Sequence, residues 1–274
     1  MHTMPELPEV ETTRRGLAPL LTGRCVAAMT IRNTRLRWPV ESTLATRLRG
    51  RKLRAIGRRG KYLLFDFGAG TMLVHLGMSG SLRLTRADEP AGTHDHVEWL
   101  FSPALLLRLR DPRRFGAVLW HDGAPESHPL LAHLGPEPLD AGFDGSYLYG
   151  ATRGVKASSK AFLMDSRKLV GVGNIYASES LFGAGIRPGT AAGRLTRPAC
   201  ERLATAVKRT LESALKAGGS SLRDYQAADG ERGHFQLNAK VYGREGAPCR
   251  VCQTPIRRIV QCQRATFYCP RCQR

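Results

Sequence analysis

The sequence predicts an α+β protein of several units, with short antiparallel strands in its first half, helices in its second and a small metal-bound hairpin at the end. Three observations carry this prediction. Alternating or apolar runs of about five residues recur as far as residue 120, separated by Gly, Pro and Asp. Beyond residue 154 the apolar spacing becomes helical, and two Cys-x-x-Cys pairs lie near the C-terminus. With 274 residues, 42% of them hydrophobic, the chain can bury two or three cores rather than one.

The elements follow in order. A first helix has Pro8 near its first turn and Val10, Leu17 and Leu21 on one side. Cys25, Ala27, Met29 and Ile31 alternate with variable neighbours, and residues 62–67, 71–76, 105–109 and 116–120 are further strand-like runs, which suggests an antiparallel sandwich or barrel. Residues 136–153, rich in Gly, Pro and Asp, read as an interdomain linker. A glycine turn at 171–174 opens a helix over 175–182. Thr196 is placed as the N-cap of another, with Leu203, Val207, Leu211 and Leu215 as its stripe and Gly218 and Gly219 as its stop.

Charge narrows the function. Lys and Arg number 42 against 23 Asp and Glu, giving a net charge of +19 and a pI near 10.4. Such a field attracts polyanions. Between residues 12 and 61 stand fourteen basic residues and one acid, Glu41; between 240 and 274 there are eight and one, Glu245. Two such clusters favour a long anionic ligand over a merely solvated face. The sequence has no apolar run of membrane-spanning length and no signal-peptide pattern, so a soluble cytoplasmic protein is expected. In that compartment seven cysteines do not form a disulfide framework.

Cys249, Cys252, Cys269 and Cys272 form two CxxC pairs separated by sixteen residues, the spacing of a closed four-thiolate zinc site. One structural Zn2+ is expected. All four positions are filled, so none is left for a catalytic water. Strands over 256–260 and 265–268 would lie under the metal, while Cys262 falls outside both pairs, and Cys25 and Cys200 read as ordinary buried thiols. Near the other end the chain runs Met4-Pro5-Glu6-Leu7-Pro8-Glu9. An N-terminal proline is a secondary amine that can attack an aldehyde-level carbon and form an iminium, and Glu6 beside it can carry the protons. Read alone, those residues also suit a plain helix start.

Motif order decides between these two readings. MPELPEVE (4–11), HLGMSG (75–80), HDH (94–96), DPRRFG (111–116), LGPEPL (134–139), GVGNIYASESLF (171–182) and the four-cysteine hairpin occur in one sequence. From Met4 to Arg274 the chain closely resembles the bacterial formamidopyrimidine-DNA glycosylases, enzymes of base-excision repair. The resemblance implies a catalytic β-sandwich with flanking helices over 4–135, the linker over 136–153, a helix–two-turn–helix unit over 154–239 and a zinc hairpin over 240–274. It implies Pro5 as nucleophile, Glu6 as proton donor and Lys61 as the active-site lysine. Arg264 joins that catalytic set and, with Asn174, grips phosphate. His94, Arg113, Met78, Phe115 and Lys160 are the remaining DNA-binding positions; Met78, Arg113 and Phe115 enter the duplex where the damaged base leaves, and Lys160 lies near the lesion. Residues 218–236 form a polar loop over the flipped base.

The implied partner is double-stranded DNA containing oxidised bases, without a membrane, and the implied protein is a monomer. The implied reaction removes 8-oxoguanine and formamidopyrimidines and nicks the strand by β,δ-elimination. Two competitors remain. One is the sister branch acting on oxidised pyrimidines, which opens PEGPE rather than PELPE. The other is a zinc-bearing DNA-binding protein without catalysis, should Pro5 stay blocked. Met1, His2 and Thr3 precede Met4 here, and a proline within a chain has no free amine. The chemistry therefore expects a start at Met4 or loss of the residues before Pro5.

Overall fold

The computed structural model describes residues 4–102, 104–219 and 239–274. They fall into two compact units: one runs to His133 and includes Gly218 and Gly219, and the other joins Leu134–Ala217 to the residues from Ala239 onward. Most of the polar loop expected over 218–236 lies outside the described residues.

The first unit opens with helix α1 (Leu7–Leu21). Glu6 is its N-cap, Pro8 stands in its first turn, and Leu7, Val10, Leu17 and Leu21 are buried. Strand β1 (Val26–Ile31) and the short helix α2 (Leu44–Leu48) follow, then β2 (Ala55–Arg59), β3 (Tyr62–Asp66), β4 (Thr71–His75), β5 (Ser81–Arg86), β6 (Asp95–Phe101), β7 (Leu105–Arg110) and β8 (Ala117–His121). They form two antiparallel four-stranded sheets, ordered β1-β6-β7-β5 and β2-β3-β4-β8. The sandwich core includes Leu63, Phe65, Val74, Trp99, Leu107 and Leu109, all fully buried.

The expected strands are present, and β2, β5, β6 and α2 join them. In β2 and β6 the apolar period is broken by polar side chains. Buried Glu98 of β6 accepts from Arg108 Nε at 2.7 Å and from Arg32 at 2.7 Å, so an interior charge stands where a strand pattern wants an apolar residue.

In the second unit the segment read as a linker holds a helix, α3 (Gly145–Thr152), capped by Asp144, which accepts from Tyr147 N at 2.7 Å. The glycine that suggested flexibility serves close packing. A Cβ on Gly145 would stand 2.5 Å from Glu201 Cγ. Helices α4 (Ser159–Met164), α5 (Asn174–Ala184) and α6 (Arg197–Lys216) follow, and then the hairpin β9 (Arg257–Gln261) and β10 (Arg264–Tyr268). Thr196 caps α6 as expected, accepting from Ala199 N, and Leu203, Val207 and Leu211 are buried against its neighbours.

What docks α1 onto the sandwich is Glu11. Its carboxylate accepts from Arg14 (2.8 and 2.9 Å), Arg15 (2.8 Å) and Arg58 of β2 (3.2 Å). Burial pushes this carboxyl up, but hydrogen bonds from Arg14 and Arg15, with the charges of Arg14 and Arg58, outweigh it and hold the group near 2 against an ordinary 4.5. Between those values the unfolded chain binds the extra proton, so the stabilisation is complete above pH 4.5 and lost as pH falls toward 2. Glu11→Gln should therefore lower stability at pH 7 by about 1–2 kcal/mol, allowing for solvent screening of the partly exposed arginines. Urea titrations at several pH values would check it. The gap between the two proteins should close toward pH 2, and a constant gap would reject the account.

Candidate active site and nucleic-acid interface

Pro5 is buried, and Glu6 is 2% exposed. Glu6 and Glu9 form a reciprocal capping box, in which Glu9 Oε2 accepts from the Glu6 N–H at 2.8 Å and the Glu6 side chain accepts from Glu9 N. The arrangement places the Glu6 carboxylate at the positive end of α1, where negative charge is favoured. It also fixes the backbone immediately after Pro5. Gly219, at φ +85°, packs on Glu9, where a Cβ would lie 3.2 Å from Oε1.

Lys61 follows the tight turn at Gly60 (φ +56°), whose carbonyl accepts from Arg58 at 2.9 Å. Arg58 therefore joins α1, through Glu11, to the turn that carries Lys61. His75, opposite Tyr62 in the β3–β4 register, is held near 4 by burial first and then by the charges of Lys61 and Arg37. Its Nδ1 accepts from Gly77 N at 3.0 Å, so the neutral ring keeps its proton on Nε2. The sequence reading named His75 only as the first letter of a motif.

The loops that carry Met78 and Arg113–Phe115 are joined through Asp111, which is fully buried. Its Oδ1 accepts from Ser79 Oγ (2.8 Å) and Arg113 N (3.3 Å), and its Oδ2 accepts from Gly116 N (2.7 Å). Gly77, at φ +63°, sits so close to the Phe115–Gly116 backbone that a Cβ would lie 2.4 Å from the Phe115 carbonyl carbon. Two loops are thus locked face to face. The Arg113 guanidinium lies 5.0 Å over the Phe115 ring, which is 44% exposed; Met78 is half-buried. His94 joins this group by its backbone, its carbonyl accepting from Asp111 N at 2.9 Å.

In the second unit Asn174 is the first residue of α5, and Gly173 is its N-cap. Asn174 Nδ2 donates to Ala265 O (3.1 Å) and to Tyr242 Oη (3.4 Å), while its Oδ1 is buried without a partner. Arg264, next to Ala265, is exposed at the start of β10. The structure corrects the expectation for Lys160. That side chain is 2% exposed and donates to Ala265 O (3.1 Å) and Thr266 Oγ1 (2.6 Å), facing the unit's interior instead of solvent. The exposed lysine of this stretch is Lys156. Glu179 of α5 was also missed: its carboxylate accepts the backbone N–H groups of Lys240, Val241 and Tyr242 at 2.8–2.9 Å.

The four sulfurs of Cys249, Cys252, Cys269 and Cys272 lie within 4.8 Å of one another, with contacts of 3.9 Å (249–272) and 3.4 Å (252–269). A zinc tetrahedron with ~2.3 Å bonds needs sulfurs ~3.8 Å apart, so the set fits one ion. Val251 N and Cys272 N each donate to a cysteine sulfur at 3.4 Å, as suits thiolates. The site is structural. Cys262 is exposed at the hairpin turn and stands outside it; Cys200 is buried as expected, and Cys25 only half so.

Comparison with known proteins gives the family. The formamidopyrimidine-DNA glycosylase N-terminal domain matches residues 4–118, the H2TH domain of the same enzyme residues 134–226, and the zinc finger found in FPG and IleRS residues 246–274. A formamidopyrimidine-DNA glycosylase of Thiobacillus denitrificans is 64% identical over 271 residues, covering 99% of this chain and 100% of that protein. A Lactococcus lactis FPG variant in complex with a Fapy-dG containing DNA is similar at a TM-score of 0.92 and 32% identity, covering 98% and 100% of the two chains. The wild-type Lactococcus lactis FPG (MutM) with an oxidised pyrimidine containing DNA gives 0.90 and 32%, again covering 98% and 100%. The chain belongs to the formamidopyrimidine-DNA glycosylase family.

Proposed function

We propose that this protein removes oxidised purines, 8-oxoguanine and formamidopyrimidines, from double-stranded DNA and then cuts the strand at the emptied site. The observation that carries the reading is the full-length family match joined to a Pro-Glu pair fixed at the start of α1. In this reading residues 4–135 do the chemistry, 154–239 and 240–274 hold DNA, and 136–153 contribute α3 to the second unit. Among the described residues no helix is long and apolar enough to cross a membrane. We place its action on chromosomal DNA in the cytoplasm.

Pro5, once its nitrogen is free, attacks the sugar C1′. The N–C1′ bond forms as the bond to the base breaks, and the base leaves as an anion that takes a proton from water. Glu6 takes the amine proton and returns it to the ring oxygen, which opens the sugar to an iminium. Loss of the C2′ proton then expels the 3′ phosphate, and a second elimination expels the 5′ phosphate. Lys61, Arg264 and Asn174 meet the phosphates, while Met78, Arg113 and Phe115 fill the space left by the extruded base. His94 lies beside them. A second reading, preference for oxidised pyrimidines, is favoured by the relative bound to such DNA, and the same assay with an oxidised-pyrimidine duplex decides between them.

Glu6→Gln keeps an oxygen for Glu9 N, so α1 stays capped while the proton carrier is lost. Excision of 8-oxoguanine should fall by about 10²–10⁴-fold, with DNA affinity retained; near wild-type excision would remove Glu6 from the chemistry. The nucleophile has its own test. Protein beginning at Pro5 should be trapped on 8-oxoguanine DNA by borohydride, and protein retaining Met1 should bind without reacting. Efficient trapping of the longer form, with the linkage mapped away from Pro5, would assign the attack to another amine. For the metal, we expect about one zinc per chain. Cys249→Ser or chelation should weaken DNA binding, and active protein free of zinc would refute a structural ion.

A further inference from the structure

Lys160 was expected at the DNA, yet its ammonium is spent inside the second unit. The strand it serves is β10, which has one strand neighbour, β9. A strand paired on one side has carbonyls that need other donors. Ala265 O receives two, Lys160 Nζ and Asn174 Nδ2, each at 3.1 Å, and Lys160 also donates to Thr266 Oγ1. Lys160 sits on a short helix that is itself pinned, since Ser159 N donates to Thr190 O at 2.7 Å and Ser158 caps its first turn.

One carbonyl therefore sets two side chains. It orients the Asn174 amide, because only Nδ2 can face an acceptor, and it belongs to the residue after Arg264. We infer that Lys160 is a positioning residue for the phosphate grip: by holding the start of β10 it sets Arg264 and Asn174 at one spacing, ready for adjacent phosphate oxygens. The inference rests on the phosphate role proposed above for those two residues. Its physical basis is preorganisation, in which donors already fixed lose less freedom when the ligand arrives.

The test uses full-length zinc-loaded protein and measures affinity for undamaged and 8-oxoguanine duplexes between 50 and 200 mM salt. Lys160→Met removes the ammonium that donates to Ala265 O and Thr266 Oγ1 at similar side-chain length. It should weaken binding to both duplexes about tenfold, the scale of one charge-assisted contact, and raise KM. The log–log salt slope should become shallower by about 0.9, the value of one lost phosphate contact, as for Arg264→Ala. The double variant should lose less than the sum of the two single losses, because both changes act on the Arg264 contact. Additive losses would overturn the inference. So would lost excision at unchanged affinity and slope, which would return the ammonium to the lesion. Should Lys160→Met not fold, Lys160→Gln, which shortens the side chain and removes the ammonium, decides: reduced affinity with a shallower slope supports the inference, and wild-type values overturn it. The two proposals separate cleanly. If Arg264→Ala itself binds normally, the phosphate reading fails; if it weakens binding and the Lys160 variants do not, only the positioning role fails.

Discussion

A buried carboxylate must be hydrogen-bonded or it is costly, and among the described residues several meet that demand with backbone N–H groups, Glu9, Asp111 and Glu179 with the widest consequences. Glu9 takes the N–H of Glu6, Asp111 those of Arg113 and Gly116, and Glu179 those of Lys240, Val241 and Tyr242. Each set of amides belongs to a segment carrying proposed site residues: Pro5–Glu6, the Arg113–Phe115 loop, and the stretch leading to the zinc hairpin. A backbone amide has no rotamer to lose, so a loop tied this way is fixed in register as well as in place. Loops that must present side chains to a large ligand are held rigid from beneath, and their outward faces stay available.

A second class of buried acid is paired with arginine, and its work is in the scaffold. Glu11 gathers Arg14, Arg15 and Arg58, and Glu98 gathers Arg32 and Arg108. These pairs absorb part of the arginine excess internally. Much of the rest stays at the surface, where a net charge of +19 draws in a polyanion at long range. Arg58 belongs to both tasks. It closes the Glu11 cluster and fixes the Gly60 turn before Lys61, so the ion pair that docks α1 also sets where the lysine begins its strand.

What the sequence made legible follows from how local each signal is. The zinc ligands were readable because two CxxC turns are self-contained, and the cap at Thr196 because one side chain serves one amide. The roles proposed for Pro5 and Glu6 rest on motif order alone, since the same residues begin ordinary helices. Long-range pairing escaped. Nothing near Lys160 in sequence indicates that its partners lie more than a hundred residues away in β10, so an interior lysine passed for a ligand-facing one. Glycine misled in the same way at Gly145, where the missing side chain permits contact with Glu201 and composition suggested a linker. His75, Asp111 and Glu179 share that fate, because their roles depend on what lies across a turn or a sheet.

The zinc hairpin shows why a metal is needed where a core is not available. Strand β9 is exposed along almost its whole length, and only β10 turns apolar residues inward, so the hairpin buries too little to hold itself. Its two-residue turn adds a cost, since Cys262 (φ +48°) and Gln263 (φ +60°) both occupy the left-handed region that favours glycine or asparagine. Four thiolates on one ion close the base of the hairpin, and Lys160 and Asn174 fasten its flank. The strained turn is tolerated because these constraints over-determine it. Arg264, the first residue after that turn, is thereby exposed at a strand end held from two sides, the placement that its proposed phosphate contact requires.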